Sequence, residues 1–192
     1  TGIQILSPLA IWYRHHSQLQ FNQFHQSAAL LLHDKFETTQ FYLLITALLN
    51  RHDALRLTLH EQLHLAEYQQ IDEQVISNIS AIYESNLADM TAWQHYIADE
   101  GEKAKSDWDM EEQLACRFLL FKNTALKKQC LVLVVHHIAI DNVSWNVLLQ
   151  DTTQFLAGEP ISERNASYQG WFSSPEIEDI AHVIKQQKRN VA

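Results

Sequence analysis

The sequence contains few residues that interrupt secondary structure or cross-link chains. Among 192 residues there are only four glycines, three prolines and two cysteines. Turns should therefore be few, and no flexible linker or low-complexity segment divides the chain. The two cysteines, Cys116 and Cys130, fall in predicted core strands, where a small buried hydrophobic residue is the expected role rather than a disulfide partner.

Positive charge and long apolar runs are also scarce. The 14 Lys and Arg residues are outnumbered by 23 Asp and Glu residues, which gives a formal net charge of −9. This balance argues against nucleic-acid binding as the main role. There is no signal peptide and no apolar run long enough to span a membrane, so we expect a cytoplasmic protein without membrane contact. A hydrophobic content of 46% over 192 residues is enough for a substantial core.

Hydrophobic periodicity predicts alternating helices and strands. The predicted helices span about residues 8–15, 38–50 (with Thr38 as N-cap), 80–105, 143–156 and 175–188. The predicted strands span about residues 23–33, 56–60, 64–69, 114–121 and 129–136. Mixed strands and helices in this order fit an α/β sandwich with one sheet covered by helices.

The most informative stretch begins where a buried strand ends. An apolar run over residues 130–135 leads into His136 and His137, and Asp141 follows four residues later. Successive side chains on a strand point to opposite faces, so the two histidines cannot face the same cavity. One should be structural and the other should face a cleft. An imidazole with an ordinary pKa of about 6.5, placed beside the start of the next helix, suits proton transfer near neutral pH.

The pattern His136-His137-(three residues)-Asp141 resembles the active-site motif of the condensation-domain superfamily of nonribosomal peptide synthetases. Other segments resemble the family in the same order along the chain. These are residues 6–13, Phe21–Gln23 with Gln26–Leu32, Leu48–Leu57, and Trp108–Leu120. The resemblance implies an α/β fold like that of chloramphenicol acetyltransferase, a two-layer sandwich with one mixed sheet and helices. The family's complete domain is longer and has two similar subdomains, so we expect residues 1–192 to form a single N-terminal subdomain.

The residues after Asp141 indicate the branch of the family. Epimerization domains tend to read Gly-Val-Ser-Trp after the aspartate, and condensation domains Gly-Trp-Ser. This chain reads Asn142-Val143-Ser144-Trp145. The resemblance therefore favours an epimerization domain, with condensation as the alternative. Asn142 replaces the family's glycine, and we expect it to preserve a left-handed turn, which Asn tolerates better than most residues.

The family resemblance also implies a chemistry. His137 would be the acid/base at the Cα of an aminoacyl or peptidyl thioester, carried on the 4′-phosphopantetheine arm of a partner carrier domain. In epimerization a second acid/base, from the C-terminal half of the domain, returns the proton on the opposite face. In condensation His137 orients or deprotonates the attacking amine instead. The isolated chain is expected to be catalytically incomplete.

The remaining site residues are assigned supporting roles. In this resemblance Asp141 forms a buried ion pair with Arg56, and His136 supports the site or simply fills the core. Ser144 and Trp145 line the cleft or cap the following helix. We expect no metal site and no cofactor bound by the chain itself. The expected partners are a peptidyl carrier domain, the C-terminal half of the same domain and adjacent synthetase modules.

Two other classes of protein stay open at this point. One is a non-catalytic relative that keeps the fold and docks a carrier or a partner enzyme. The other is a free-standing acyltransferase of the chloramphenicol acetyltransferase type, which uses coenzyme A. Binding of a pantetheine-bearing carrier but not of free coenzyme A would separate the synthetase branch from the latter.

Overall fold

The structure, a computed structural model, describes residues 3–6, 11, 23–60, 65–106 and 108–161. The strands are β1 (Ile3–Ile5), β2 (His25–Leu32), β3 (Leu57–Leu59), β4 (Leu65–Tyr68), β5 (Ser80–Ser85), β6 (Cys116–Asn123) and β7 (Lys128–His136). The helices are α1 (Thr38–Arg51), α2 (Glu73–Asn78), α3 (Met90–Ser106) and α4 (Asn142–Leu156), with a 3₁₀ turn at Asp53–Arg56. Apart from Ile11, the helices expected over residues 8–15 and 175–188 lie outside the described residues.

The main sheet has four strands in the order β2-β7-β6-β5. β7 runs antiparallel to both β2 and β6, whereas β5 runs parallel to β6, so the sheet is mixed. The central strand β7 is buried on both faces from Cys130 to His136, as expected of a continuous apolar run. The α/β class with a mixed sheet and helices agrees with the sequence prediction.

A second, smaller sheet supports the first. Strands β1, β4 and β3 form an antiparallel sheet in that order. It joins the main sheet through Ala115, whose N–H donates to the Leu57 carbonyl at 3.0 Å. The Ala115 carbonyl in turn accepts from the N–H of His136 at 2.8 Å. The small sheet therefore helps to fix the end of β7, where the two histidines lie.

Helices cover both faces of the main sheet in the described part of the chain. A cleft of about 540 Å³ between α3 and the sheet is lined by Leu31, Val132 and the α3 residues Trp93 and Ile97, which places α3 on one face. On the other face, the Trp145 indole of α4 donates to Gln26 of β2. None of these helices is both long and apolar enough to cross a membrane.

Strand β1 and helix α2 were not expected from the sequence, and three further details of the elements differ from the prediction. The segment Ser80–Ser85 is strand β5 rather than the start of a helix, because its pairing with β6 outweighs the helical spacing of its apolar residues. Helix α3 begins only after Asp89, whose side chain accepts from the Ala92 N–H at 2.8 Å. Helix α1 begins at Thr38 as a helical residue, and its N-cap is Glu37.

Helices α1 and α4 are joined by a buried carboxylate. Asp151 of α4 is only 3% exposed. Its Oδ2 lies 2.8 Å from Nε2 of His52 and 3.3 Å from Nε of Arg51, at the end of α1. These contacts hold the two helices together at the end of α1 and bring the 3₁₀ turn that follows α1 close to α4.

We expect Asp151→Ala to lower the free energy of unfolding by about 2 kcal/mol, because hydrogen bonds to charged groups are worth about 1.5–3 kcal/mol and Arg51 and His52 both lose this contact. Urea denaturation followed by circular dichroism measures this. The exposed Asp34 provides the matched control, and Asp34→Ala should change the stability by less than about 0.5 kcal/mol. Equal stability of the two variants would contradict the assigned role of Asp151.

Candidate active site

The end of β7 is fixed by hydrogen bonds from both sides. His136 is paired with His25 of β2 in the antiparallel register. The His137 N–H donates to the Phe24 carbonyl at 2.8 Å. Together with the bond from His136 to the carbonyl of Ala115 described above, these contacts leave the backbone at the two histidines little freedom. The sequence motif therefore starts from a rigid point of the sheet.

The two histidines occupy different environments, as the alternation of strand side chains predicts. His136 is fully buried, with 0% of its surface exposed. Its Nδ1 accepts a hydrogen bond from the Ile138 N–H at 3.2 Å, so this nitrogen carries no proton. His137 is only partly buried. The structure thus gives His136 a place in the core and His137 access to the surface.

A short turn determines which ring nitrogen of His137 carries the proton. Its Nδ1 lies 2.6 Å from the Ile140 carbonyl oxygen. A carbonyl oxygen can only accept, so Nδ1 must carry the hydrogen that is donated. In the neutral ring the lone pair is then on Nε2, which makes Nε2 the basic nitrogen. The same turn is closed by the Ala139 N–H donating to the His136 carbonyl at 3.0 Å.

The ring of Phe24 lies beside His137. The two ring centroids are 4.6 Å apart with a tilt of 34° between the planes. Phe24 remains 41% exposed, which is unusual for a phenylalanine and places an apolar surface beside the imidazole. Sequence reasoning missed this residue. The sequence repeats Phe-x-Gln at Phe21–Gln23 and at Phe24–Gln26, and the second of these runs into β2.

Asp141 caps α4. Its Oδ1 accepts from both the backbone N–H and the hydroxyl of Ser144, each at 2.7 Å. These bonds, the backbone one first, lower the pKa of Asp141 below its ordinary value. A side chain that accepts from the third residue beyond it is the standard N-cap arrangement. The N-cap of α4 is therefore Asp141. Ser144, which was expected to line the cleft or cap the helix, donates to the capping carboxylate instead.

The expected ion pair between Asp141 and Arg56 does not form among the described residues. Arg56 donates from Nη1 to the Gln69 carbonyl at 3.2 Å instead, beside the small sheet. Asp141 is exposed at the start of α4, and its oxygen Oδ1 is taken by Ser144. Arg56 and Asp141 thus make separate contacts. The sequence could not show this, because spacing along the chain does not reveal which donor a carboxylate meets.

Two further residues of the motif contribute to the position of α4. The Trp145 indole N–H donates to the Gln26 side-chain oxygen at 2.5 Å, which ties the first turn of α4 to β2. Asn142 is the first residue of α4, and among the described non-glycine residues only Lys127 has a positive φ. The expectation of a left-handed turn at Asn142 is therefore wrong, because the helix begins there instead.

The two cysteines and the acidic and histidine side chains form neither a disulfide nor a metal site in the part of the chain that the structure describes. No cluster of three or more His, Cys, Asp or Glu side chains there could hold a metal ion. Cys116 and Cys130 are both free and buried. Burial raises the pKa of the Cys130 thiol to about 11, so it stays protonated and unreactive at neutral pH. Both cysteines are small buried residues, as the sequence predicted.

Comparison with known proteins identifies the fold and the family. The family model for the condensation domain matches residues 1–188. The chain belongs to the condensation-domain family. Among related sequences, one of the linear gramicidin synthase polypeptides of Brevibacillus parabrevis is 27% identical over 182 residues, covering 89% of this chain and 3% of the relative. Tyrocidine synthase 1 of the same organism is 25% identical over 173 residues, covering 86% of this chain and 15% of the relative.

Solved structures of this family have the same fold. The epimerization domain from the third module of tyrocidine synthetase B superimposes with a TM-score of 0.71 at 21% identity, covering 88% of this chain and 38% of that one. A second match is the condensation domain in chain release from the enacyloxin polyketide synthase, with a TM-score of 0.69 at 18% identity. This match covers 99% of the present chain and 38% of the enacyloxin chain. Both branches are therefore represented among the structural relatives, and the chain spans well under half the length of either.

We expect Asp141→Ala to lower the free energy of unfolding by about 1 kcal/mol, the usual value of a lost N-cap. Asp141→Asn keeps an acceptor oxygen and should retain most of that stability. Because the folded pKa of Asp141 is depressed, the carboxylate's contribution is present above its unfolded pKa of about 3.9 and is lost as the pH falls through the folded pKa. Thermal unfolding at pH 7 and at lower pH measures both effects. Unchanged stability of the Ala variant together with lost activity would contradict the capping role.

Proposed function

We propose that this chain supplies the acid/base His137 of an epimerization domain, which inverts the Cα of an aminoacyl or peptidyl thioester held on a phosphopantetheinyl carrier. The observation that carries the proposal is the hydrogen bond from His137 Nδ1 to the Ile140 carbonyl at 2.6 Å. It fixes the neutral tautomer and leaves the Nε2 lone pair available to accept a proton.

The Cα–H group is a weak acid, so the position of the base matters as much as its basicity. A thioester carbonyl acidifies the neighbouring Cα–H more than an amide does, yet that proton is still far less acidic than imidazolium. A general base contributes about 10²–10⁴-fold when it is held within hydrogen-bond reach of the proton. The rigid end of β7 and the turn to Ile140 supply such positioning for His137.

Removal of the proton leaves the bonding electrons on the thioester as an enolate. His137 Nε2 takes the Cα proton, and the Cα–H electron pair moves toward the carbonyl oxygen. Inversion requires a proton to return on the opposite face of Cα, which His137 cannot reach from its own side. We propose that the second acid/base comes from the C-terminal half of the domain.

The surface beside His137 is suited to being covered. Phe24 is 41% exposed, and Val143 and Val147 on the first turns of α4 are 71% and 38% exposed. The exposed Phe24 ring beside His137 and the exposed valines of the helix that follows the motif are typical of a surface that meets a partner. We propose that the C-terminal half and the loaded carrier arm enclose this side, which would also exclude water from the enolate.

The residues after Asp141 favour epimerization over condensation. Val143-Ser144-Trp145 follows the epimerization pattern, and Trp145 has a definite contact with Gln26 of β2. Condensation is the second candidate, because the same His137 Nε2 would serve an attacking amine. The fold is shared by both branches and does not separate them.

The test is α-proton exchange in heavy water. This chain is combined with the C-terminal half and a carrier loaded with an aminoacyl thioester. We expect exchange with loss of chirality, and a fall of at least about 100-fold in His137→Ala. The exposed His33 gives the matched control, and His33→Ala should keep the wild-type rate.

Other outcomes would overturn the proposal. Peptide-bond formation upon addition of an acceptor carrier, without α-proton exchange, would assign the chain to condensation. Acyl transfer from free coenzyme A would assign it to the free-standing acyltransferases. Carrier binding without turnover of any kind would favour a non-catalytic docking domain.

A further inference from the structure

His25, the first residue of β2, lies directly behind the two histidines of the motif. The register pairs His25 with His136, and paired residues of antiparallel strands project to the same face. Their rings are 5.2 Å apart and nearly perpendicular, at 85°. Because strand side chains alternate, the side chain of His137 lies on the opposite face of β7. His25 therefore contacts the structural histidine and not the candidate base.

On its other side, the His25 ring is the first member of a stack with Trp108 and Arg117. His25 lies over Trp108 with ring centroids 4.3 Å apart and an angle of 24°. The Arg117 Cζ lies 4.6 Å from the Trp108 ring centroid. Trp108 is 3% exposed, and its indole N–H donates to the Leu114 carbonyl at 3.0 Å. The stack is therefore anchored to the backbone and cannot shift easily.

The ring nitrogens of His25 do not explain why it is there. Both are buried and make no hydrogen bond of good geometry to the described residues. Burial lowers the pKa of His25 to about 4, with further lowering by His136, Lys105 and Arg117 and partial compensation by the Gln23 backbone. His25 is thus uncharged at neutral pH. Its contribution comes from the shape and stacking of an aromatic ring.

His136 links this ring to the turn that follows β7. The His136 Nδ1 accepts from the Ile138 N–H only while the imidazole keeps its present orientation. That bond lies in the turn that runs on to the Ile140 carbonyl, the acceptor for His137. A rotation of the His136 ring would release the Ile138 N–H and loosen the turn that sets the His137 tautomer.

We propose that His25 is a positioning residue for His137. Its ring, wedged between Trp108 and His136, holds His136 in the orientation that closes the turn to Ile140. This inference rests on the proposed function of His137 as the base. It acts through packing, so an aromatic ring without nitrogens should do the same work as histidine.

The first experiment measures the tautomer of His137 in the chain itself. Long-range ¹H–¹⁵N NMR on the histidine-labelled protein distinguishes a protonated Nδ1 from a mixture of tautomers. We expect His25→Phe to keep a single Nδ1-protonated form and His25→Ala to give a mixture. His25→Leu fills the space without an aromatic ring and replaces the Ala variant if that one does not fold. His33→Ala, just beyond the far end of β2, is the matched control and should be unchanged.

The second experiment measures turnover in the reconstituted exchange assay. We expect His25→Ala, or His25→Leu, to lower kcat by about tenfold or more with KM changed less than about twofold, since a displaced catalytic group loses rate and not binding. His25→Phe should restore kcat to within about threefold of wild type. A purely structural loss would instead reduce the amount of folded protein and leave kcat per folded molecule unchanged.

The two experiments keep this inference separate from the proposed function. A wild-type chain with no exchange activity but the expected tautomer pattern would overturn the epimerase proposal and support the role of His25 in ordering the turn. A single His137 tautomer and normal kcat in the Ala and Leu variants would overturn the His25 inference alone. Loss of both properties in His25→Phe would also overturn it, because the ring nitrogens would then matter.

Discussion

The candidate site depends on the register of β7 between its two neighbouring strands. Shifting an antiparallel strand by one residue sends every side chain to the opposite face. In the observed register His136 lies opposite His25, and His137 projects beyond the paired residues. A register slipped by one residue would exchange the faces of the two histidines and turn His137 toward the buried side that His136 now occupies. The same register of β7 therefore keeps its apolar side chains buried and leaves the side chain of His137 accessible.

Two neighbouring histidines of the same chemistry acquire different roles from their backbone surroundings. His136 accepts at Nδ1 from a backbone N–H, and His137 donates at Nδ1 to a backbone carbonyl. In the neutral state the former is therefore protonated on Nε2 and the latter on Nδ1. The turn that follows them, up to Ile140, is closed by these backbone contacts without a charged partner. This explains how the site can be ordered although Asp141 and Arg56 lie in separate contacts.

The sequence predicted the parts of the fold that depend on local pattern. The long apolar strands, helix α1 and helix α4 were placed within a few residues, and the alternation along β7 predicted that the two histidines face apart. The segment Ser80–Ser85 was assigned wrongly because a short strand that pairs in parallel has no local signal of its own. The contacts of Phe24, Gln26 and Asp141 depend on which strand lies beside β7 and where a helix begins, and neither is encoded in spacing alone.

Membership of the family narrows the possible reactions but does not decide between them. The fold is common to epimerization and condensation domains, so similarity of structure cannot decide between inversion at Cα and peptide-bond formation. In the proposed function, the distinction depends on which groups approach the substrate on the side opposite the Nε2 of His137. Within the described chain, the exposed ring of Phe24 beside His137 is where such groups would approach in that proposal.

The central claim is that backbone contacts make Nε2 of His137 the basic nitrogen. The most direct measurement is the tautomeric state of both motif histidines in the wild-type chain, by long-range ¹H–¹⁵N NMR at a pH where both rings are neutral. We expect His137 to be protonated on Nδ1 and His136 to be protonated on Nε2. A His137 ring protonated on Nε2, with Nδ1 as the unprotonated nitrogen, would contradict it.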